Sequence, residues 1–194
     1  VDAGDYNRSG FGSIFVTNYE NELPALYRNR SSAKQVQFNY DSLASGVAAI
    51  GGNYVSWGTG FFDLDMDGWD DVLIVSGHAI RFPLKIDRRQ KPVLLRNNQG
   101  KFKQVSGANW AYLREPHNAR GVAFGDLNND GKPDLVISHL NEPVVVLRNV
   151  APTDDRHWLG VRLVGKGTAD TVGARGVADH GGGKPTTLAK GGGS

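Results

Sequence analysis

The chain has 194 residues, a formal net charge of +2 and no cysteine. This length allows one or two domains with a real core, while the missing thiols exclude disulfides and thiolate metal sites. A charge so close to zero gives no field that favours nucleic acid, and no apolar run is long enough for a transmembrane helix.

One pattern occurs three times along the chain. A nine-residue loop with oxygen-bearing side chains at positions 1, 3, 5 and 9 begins at Asp5, Asp63 and Asp126, and short apolar, β-branched runs flank it. A motif that ends in Arg-Asn follows each loop. Two motifs in the same order three times over indicate internal repeats, and repeats decide the fold. The motifs are Leu26-Tyr27-Arg28-Asn29, Leu94-Leu95-Arg96-Asn97 and Val146-Leu147-Arg148-Asn149.

The loops have the chemistry of a site for a hard cation. Four carboxylates within the second loop repel one another and would not pack unpaired, and a bound cation removes that conflict. Alternate oxygen ligands and a main-chain carbonyl at position 7 suit Ca²⁺; the alternative is a solvated acidic turn. An EF-hand is excluded because position 12 is Val16, Ile74 or Ile137 instead of Glu, and the flanks are strand-like.

The three predicted sites differ in charge. The loop of residues 1–55 has one carboxylate, the loop of residues 56–118 has four, and the loop of residues 119–150 has three. Because ligand charge tunes affinity, we expect Ca²⁺ to bind most tightly to the second loop and most weakly to the first. The predicted ligands are Asp5, Asn7, Ser9, Phe11 and Ser13; Asp63, Asp65, Asp67, Trp69 and Asp71; and Asp126, Asn128, Asp130, Lys132 and Asp134, with Phe11, Trp69 and Lys132 offering main-chain carbonyls.

The second repeat is longer than the others. From Asp63 to Arg96 the spacing is 33 residues, against 23 and 22 for the equivalent pairs. This predicts an insertion of about ten residues between inner and outer strands, at His78 to Lys91. The region is locally basic and is either a solvated loop or a contact surface for an anionic partner. The predicted contact residues are Arg81, Lys85, Arg88 and Arg89.

The pattern changes after a polar linker at residues 151–156. Residues 157–194 are predicted to be the start of a small β domain, truncated because the chain stops in a glycine run. Alternation predicts a strand at Trp158–Val164. Two further strands are predicted at Gly173–Val177 and Thr186–Leu188, with a turn at Gly181–Gly183. With no start methionine and no signal peptide, the sequence is expected to be a processed chain or a piece of one.

Several of these segments carry a resemblance to a known family. The loops between short strands, and the pair Phe124-Gly125, are similar to FG-GAP/VCBS-type repeats. The order Ala119–Asp126, Leu147–Asn149, His157–Gly165 and Gly173–Arg175 resembles FG-GAP proteins that end in an ASPIC/UnbV domain, as in the cartilage acidic protein group. The resemblance implies a β-propeller of four-stranded antiparallel blades, Ca²⁺ loops between successive strands, and secretion to the periplasm or cell exterior.

The expected fold class is therefore all-β. Residues 1–150 would form three FG-GAP/VCBS-like blades of a β-propeller, followed by the start of the small β domain. Because a closed propeller typically has about four to eight blades, the remaining blades would come from residues outside this sequence.

Two functions stay open. The first is a non-catalytic, secreted Ca²⁺-binding module that binds a protein or an anionic glycan, or serves as a scaffold subunit, because metal binding and turns account for the recurrent polar residues. The alternative is a polysaccharide-active enzyme, which would need a carboxylate, His or Tyr set that converges outside the loops. The fold alone cannot decide between them. The candidates, which form no recognised motif, are His78, Glu115, His117 and His139.

Overall fold

The structure, a computed structural model, describes residues 1–105, 110–152, 156–179 and 186–189. Within these ranges the chain is built from short antiparallel strands, so the predicted all-β class is confirmed. Helical structure there is limited to α1 (Ser42–Ser45), a 3₁₀ helix (Val47–Ile50) and α2 (Ala111–Arg114). None of the helices in the described ranges is long and apolar enough to cross a membrane.

Three sheets follow one another along the chain, and in each of them neighbouring strands are consecutive in sequence. The first contains β1 (Asp2–Gly4), β2 (Ser13–Val16), β3 (Ala25–Asn29) and β4 (Phe38–Tyr40). The second contains β5 (Ser56–Phe62), β6 (Asp71–Ser76), β7 (Val93–Asn98) and β8 (Lys101–Val105). The third contains β9 (Ala119–Gly125), β10 (Asp134–His139) and β11 (Val145–Leu147). Up-and-down sheets of this kind are typical of propeller blades, and the fold is a partial, propeller-like one.

The first strands of the three sheets lie side by side, with β5 between β1 and β9. A Cβ atom on Gly58 would lie 2.6 Å from the backbone nitrogen of Val122, so glycine is required for this close approach of β5 to β9. On the other side, a carboxylate oxygen of Asp2 accepts a hydrogen bond from the Phe61 amide at 2.8 Å. A close backbone approach on one side and a side chain-to-backbone hydrogen bond on the other therefore join consecutive sheets at their inner strands.

The second sheet is covered by apolar side chains on both faces. Val72 and Ile74 of β6 belong to the cluster shared with the first sheet, whereas Leu73 and Val75 belong to the cluster shared with the third. This split follows from the two-residue period of a strand, and it explains why β6 is an unbroken apolar run. Each fully buried side chain of this size contributes about 1.5–3 kcal/mol.

The predicted strand at Trp158–Val164 is wrong. These residues lie in the described part of the chain but form no strand, and Trp158, Leu159 and Val161 are 56%, 76% and 70% exposed. Alternation describes the side chains, whereas a strand also needs a neighbour to satisfy its backbone hydrogen bonds. In the described ranges no such neighbour pairs with these residues.

The end of the chain does contain the two other predicted strands. β12 (Arg175–Val177) lies within the range predicted for one of them, and β13 (Thr186–Leu188) matches the other. The two pair in antiparallel fashion. The turn predicted at Gly181–Gly183, and part of the linker at residues 151–156, lie outside the described residues.

Candidate metal centre

The three acidic loops share one backbone arrangement. The carboxylate at position 1 accepts hydrogen bonds from the amides at positions 5 and 6. In the second loop Asp63 accepts from Asp67 at 3.0 Å and from Gly68 at 2.7 Å. The corresponding distances are 2.8 and 2.8 Å from Asp5 to Ser9 and Gly10, and 3.0 and 2.8 Å from Asp126 to Asp130 and Gly131.

Two positions of each loop have left-handed backbone. Position 6 is always glycine because a positive φ costs it nothing. Position 4 also has positive φ but is occupied by larger side chains, which rarely adopt this conformation. The same unusual conformation in three loops shows that the loop geometry imposes it. The φ values are 51°, 58° and 58° at Arg8, Met66 and Asn129, and 82°, 81° and 83° at Gly10, Gly68 and Gly131.

The second loop gathers carboxylate oxygens that the protein leaves without full compensation. One oxygen each from Asp63, Asp65 and Asp67 lie within 4.8 Å of one another. Among the described residues, Asp65 Oδ1 is buried and accepts no hydrogen bond, and the buried Asp71 Oδ2 has only its ion pair with Arg96 Nε at 3.1 Å. A buried carboxylate oxygen without a hydrogen bond, such as Asp65 Oδ1, is uncommon and calls for an explanation such as a bound ion. Because every donor here is a hard oxygen, the residues fit Ca²⁺.

The acid–base properties of the second loop reflect this crowding. Burial raises the pKa of Asp63 to about 6 and that of Asp71 to about 7, and neighbouring carboxylates act in the same direction. Burial also works to raise the pKa of Asp65, but hydrogen bonds and charge from Arg96 and Arg156 outweigh it and lower that pKa. The loop therefore carries more negative charge than its surroundings stabilise.

The arginine of the Arg-Asn motif supplies part of the missing positive charge. Arg96 forms an ion pair with Asp65, and its guanidinium lies 3.8 Å from Asp67 and 3.1 Å from Asp71. The motif was visible in the sequence, but its role was not, because motif and loop meet only when β6 and β7 pair. The equivalent arginines are Arg28, 2.8 Å from the Asn7 amide oxygen in the amide orientation that satisfies its partners, and Arg148, 3.8 Å from Asp130.

Position 9 of each loop is buried and holds the asparagine of the motif. The side chain of Asp71 is inaccessible, and its Oδ1 accepts a hydrogen bond from the backbone amide of Asn97 at 2.8 Å. In the other repeats the same bond joins the Asn149 amide to Asp134 at 2.7 Å and the Asn29 amide to the hydroxyl of Ser13 at 3.1 Å. The position-9 residues are predicted metal ligands, and each also accepts a hydrogen bond from the backbone amide of its asparagine.

In the second and third repeats the side chain of this asparagine reaches the preceding loop. Asn97 donates to the carbonyl of Tyr6 at 2.8 Å, and Asn149 donates to the carbonyl of Leu64 at 2.7 Å. Tyr6 and Leu64 both occupy position 2 of the loop before. The first and second loops are therefore each tied to the next repeat as well as to their own.

The first two loops also touch directly. The guanidinium of Arg8 lies 4.1 Å from the ring centroid of Trp69 and donates to the Gly68 carbonyl at 2.9 Å. Because Trp69 is position 7 of the second loop, this contact joins a side chain of the first loop to an aromatic ring of the second. The predicted use of the Phe11, Trp69 and Lys132 carbonyls as metal ligands stays a prediction.

These repeated loops and strands agree with a known family model. Residues 63–137 match the FG-GAP-like repeat. The match begins at the first residue of the second loop and ends in β10, which follows the third loop. It confirms the FG-GAP resemblance over this segment, whereas the ASPIC/UnbV resemblance of residues 157–194 stays a prediction. No curated protein matches the chain.

The basic insertion lies between the FG-GAP-like strands β6 and β7, and two of its four predicted contact residues make contacts within the protein. Arg89 Nε lies 3.2 Å from Glu142 Oε1. Arg88 is partly buried, and its carbonyl accepts from the His78 amide at 2.8 Å. The side chain of Arg89 and the backbone of Arg88 therefore hold the insertion in place, and the partner contacts predicted for these arginines stay a prediction. Arg81 and Lys85 are exposed.

The histidines suggested for an enzyme do not form one group. His78 is buried, with Nδ1 accepting from the Ile80 amide at 3.0 Å, and Glu115 is exposed on the surface. His117 and His139 do approach each other, with ring centroids 5.4 Å apart. Their neighbours Tyr112 and Glu142 were not identified from the sequence, where neither residue lies in a motif.

Proposed function

We propose that this chain is a Ca²⁺-binding, propeller-type module that works outside the cell or in the periplasm as a non-catalytic binding or scaffold unit. One observation carries the proposal: in a loop geometry that occurs three times, oxygens of Asp63, Asp65 and Asp67 converge within 4.8 Å, and the buried Asp65 Oδ1 accepts no hydrogen bond. Bound Ca²⁺ would neutralise the loop and take oxygens of these carboxylates as ligands. Millimolar Ca²⁺ outside cells suits extracellular modules, which bind it at roughly 10⁻⁴ to 10⁻³ M.

The predicted ligands of the three loops differ in charge, so we expect the loops to differ in Ca²⁺ affinity. In the second loop the ion would be held by Asp63, Asp65, Asp67 and Asp71. Arg96 would then give up some of its ion pairs with these carboxylates. The third loop has fewer carboxylates, and Arg148 approaches only one of them. In the first loop Asn7 and Ser9 replace carboxylates. The proposed order of affinity is therefore second, third, first.

Calcium is expected to stabilise the protein through the second loop. If Ca²⁺ binds only the folded chain, a hundredfold excess over the dissociation constant stabilises it by about 2.7 kcal/mol. Asp65→Ala removes a carboxylate of the best site and should abolish most of the Ca²⁺-dependent rise in Tm. The measurement is thermal unfolding of each variant with a chelator and with excess Ca²⁺.

The matched control is Ser9→Ala, which changes position 5 of the weakest loop and should leave the Ca²⁺ response almost intact. Because each variant is compared with itself, any loss of Arg96 or Arg156 contacts in Asp65→Ala cancels. Terbium luminescence excited through Trp69 gives a second readout at the second loop. Equal Ca²⁺ responses in Asp65→Ala and Ser9→Ala would contradict the proposed order.

The partner surface that we propose is the tip of the insertion, residues 80–86. Ile80, Phe82 and Leu84 are 53%, 77% and 101% exposed there, and they alternate with Arg81 and Lys85. Exposed apolar side chains on a loop held by a rigid scaffold are typical of an interaction site. The positive charges of Arg81 and Lys85 make this tip complementary to an anionic protein or glycan.

Charge reversal at the tip is expected to weaken that contact. Arg81→Glu with Lys85→Glu should reduce retention on immobilised heparin, an anionic glycan probe, and the loss should be largest at low salt because salt screens exposed charges. The control is Arg30→Glu with Lys34→Glu, which changes the net charge equally at exposed positions near β4. Equal losses of heparin retention in both double variants would show that net charge alone causes the effect, and they would reject the tip as the partner surface.

A further inference from the structure

A second group of possible metal ligands lies at the opposite end of the third sheet from its acidic loop. His117 precedes β9, His139 ends β10, and Glu142 lies in the turn that leads to β11. The loop that starts at Asp126 joins the other ends of β9 and β10. We call His117, His139 and Glu142 the histidine cluster. One ligand atom from each of its members lies within 4.8 Å of the other two.

The hydrogen bonds of His139 leave one ring nitrogen available as a ligand. Its Nδ1 lies 2.7 Å from the carbonyl oxygen of Pro143. A carbonyl only accepts, so Nδ1 carries the proton and Nε2 carries the lone pair. That Nε2 lies 2.7 Å from the hydroxyl of Tyr112, which donates to it.

His117 is held in the complementary way. Its Nε2 lies 3.2 Å from the Tyr112 carbonyl, and its ring stacks on the Tyr112 ring with centroids 4.1 Å apart. With the proton on Nε2, the lone pair of Nδ1 faces Glu142 Oε2 at 3.2 Å. A lone pair against a carboxylate is repulsive, so a cation belongs between them, either a proton or a metal ion.

Glu142 is oriented by its other oxygen. Oε1 accepts from the backbone amide of Asn118 at 3.0 Å and lies 3.2 Å from Arg89 Nε. Its side chain is only 15% exposed. The carboxylate is therefore fixed, and Oε2 is directed at His117.

We propose that the histidine cluster binds a divalent transition-metal ion through His117 Nδ1, His139 Nε2 and Glu142 Oε2. Two imidazoles and one carboxylate suit Zn²⁺ and its neighbours, whereas Ca²⁺ takes oxygen ligands. Each ligand also has the outer hydrogen bond that metal ligands usually make: to the Tyr112 carbonyl, the Pro143 carbonyl and the Asn118 amide.

The geometry needs little adjustment for this role. Ligands about 2.1 Å from a tetrahedral Zn²⁺ lie roughly 3.4 Å apart, close to the 3.2 Å between His117 Nδ1 and Glu142 Oε2. The cluster brings one ligand atom from each member within 4.8 Å of the others, at most about 1.4 Å more than this separation. The hydroxyl of Tyr112 gives up its hydrogen bond to His139 when the ion enters.

The site would connect the insertion of the second repeat to the third sheet. The Gln90 amide donates to the His117 carbonyl at 2.8 Å, and the His117 amide donates to the Gln90 carbonyl at 3.0 Å. Arg89 is paired with Glu142 of the same cluster. Metal binding would therefore fix the base of the insertion whose tip is the proposed partner surface.

Zn²⁺ titration of the intact chain tests the proposal, with Ca²⁺ in excess so that the acidic loops are occupied. Calorimetry should find one saturable Zn²⁺ site, and Co²⁺ substitution should give absorption bands of nitrogen and oxygen ligation. Glu142→Gln keeps an acceptor for Asn118 but loses the charge, and His139→Ala removes a ligand. Each should weaken Zn²⁺ binding by at least about tenfold.

The control is His157→Ala, which removes an exposed histidine outside the cluster and should leave Zn²⁺ affinity unchanged. Retained Ca²⁺ stabilisation in Glu142→Gln and His139→Ala shows that these variants are folded. The proposal is overturned if no saturable Zn²⁺ binding occurs, which would leave a proton alone between His117 and Glu142. It is equally overturned if both cluster variants bind Zn²⁺ like the parent chain.

Discussion

Asp71→Ala is expected to lower the free energy of unfolding by about 3 kcal/mol even when a chelator has removed all metal. Asp71 is fully buried, accepts the backbone amide of Asn97 at 2.8 Å and pairs with Arg96. Alanine leaves a buried amide without an acceptor and removes one carboxylate from the arginine. Arg96 remains one-third exposed and keeps Asp65, which limits the loss to this size.

The measurement is urea unfolding in the presence of chelator, so that no metal contributes. Ser13→Ala is the matched control because Ser13 occupies position 9 of the first loop, is equally buried and accepts one bond from Asn29 at 3.1 Å. Without an arginine pair, its loss should be about 1 kcal/mol. If Asp71→Ala costs no more than Ser13→Ala in chelator, Asp71 has no structural role beyond that single hydrogen bond.

Asn97→Ala is expected to destabilise the chain by about 3 kcal/mol. Its side chain donates to the carbonyls of Tyr6 and Asp70, each at 2.8 Å, and accepts from the Gly100 amide at 2.8 Å. Asn97 is only 3% exposed, so these groups would lose a partner inside the protein, where water replaces it poorly. One of the bonds crosses from the second repeat to the first.

Asn29→Ala is the corresponding change in the first repeat. Asn29 donates to Gly12 and accepts from Ser31, both within its own repeat and less buried, so a loss of about 1 kcal/mol is expected. Hydrogen exchange of the Ser9 and Gly10 amides should accelerate in Asn97→Ala and not in Asn149→Ala, since Asn97 reaches the first loop and Asn149 does not. Equal stability losses in Asn97→Ala and Asn29→Ala would show that the bond from Asn97 to Tyr6 contributes nothing.

Asp71 and Asn97 show how the proposed metal site depends on the fold. Asp71 is a predicted ligand and also the acceptor that orients Asn97, whose side chain reaches the neighbouring loop. An ion bound by Asp71 would therefore act on the same contacts that join the first and second repeats. For this reason the chelator experiments separate the structural contribution of these side chains from the metal response measured with Asp65→Ala.

Local chemistry was readable from the sequence. The spacing of Asp63, Asp65, Asp67 and Asp71, with Gly68 at the turn, predicted both a tight loop and crowded carboxylates. Such features depend on residues a few positions apart, for which chain geometry allows few alternatives. The all-β class and the FG-GAP-type repeat followed in the same way from short apolar runs recurring around the loops.

Contacts between distant segments were decided only by the tertiary structure. Arg96 meets Asp65, and Asn97 meets Tyr6, because sheet pairing and sheet packing bring them together across 31 and 91 residues. Pairing also explains the strand wrongly predicted at Trp158–Val164, since alternation cannot show whether a neighbouring strand is present. Glu142 was missed as a neighbour of His117 for the same reason. It lies in a turn that no sequence motif marks, and the pairing of β9 with β10 brings its carboxylate to His117.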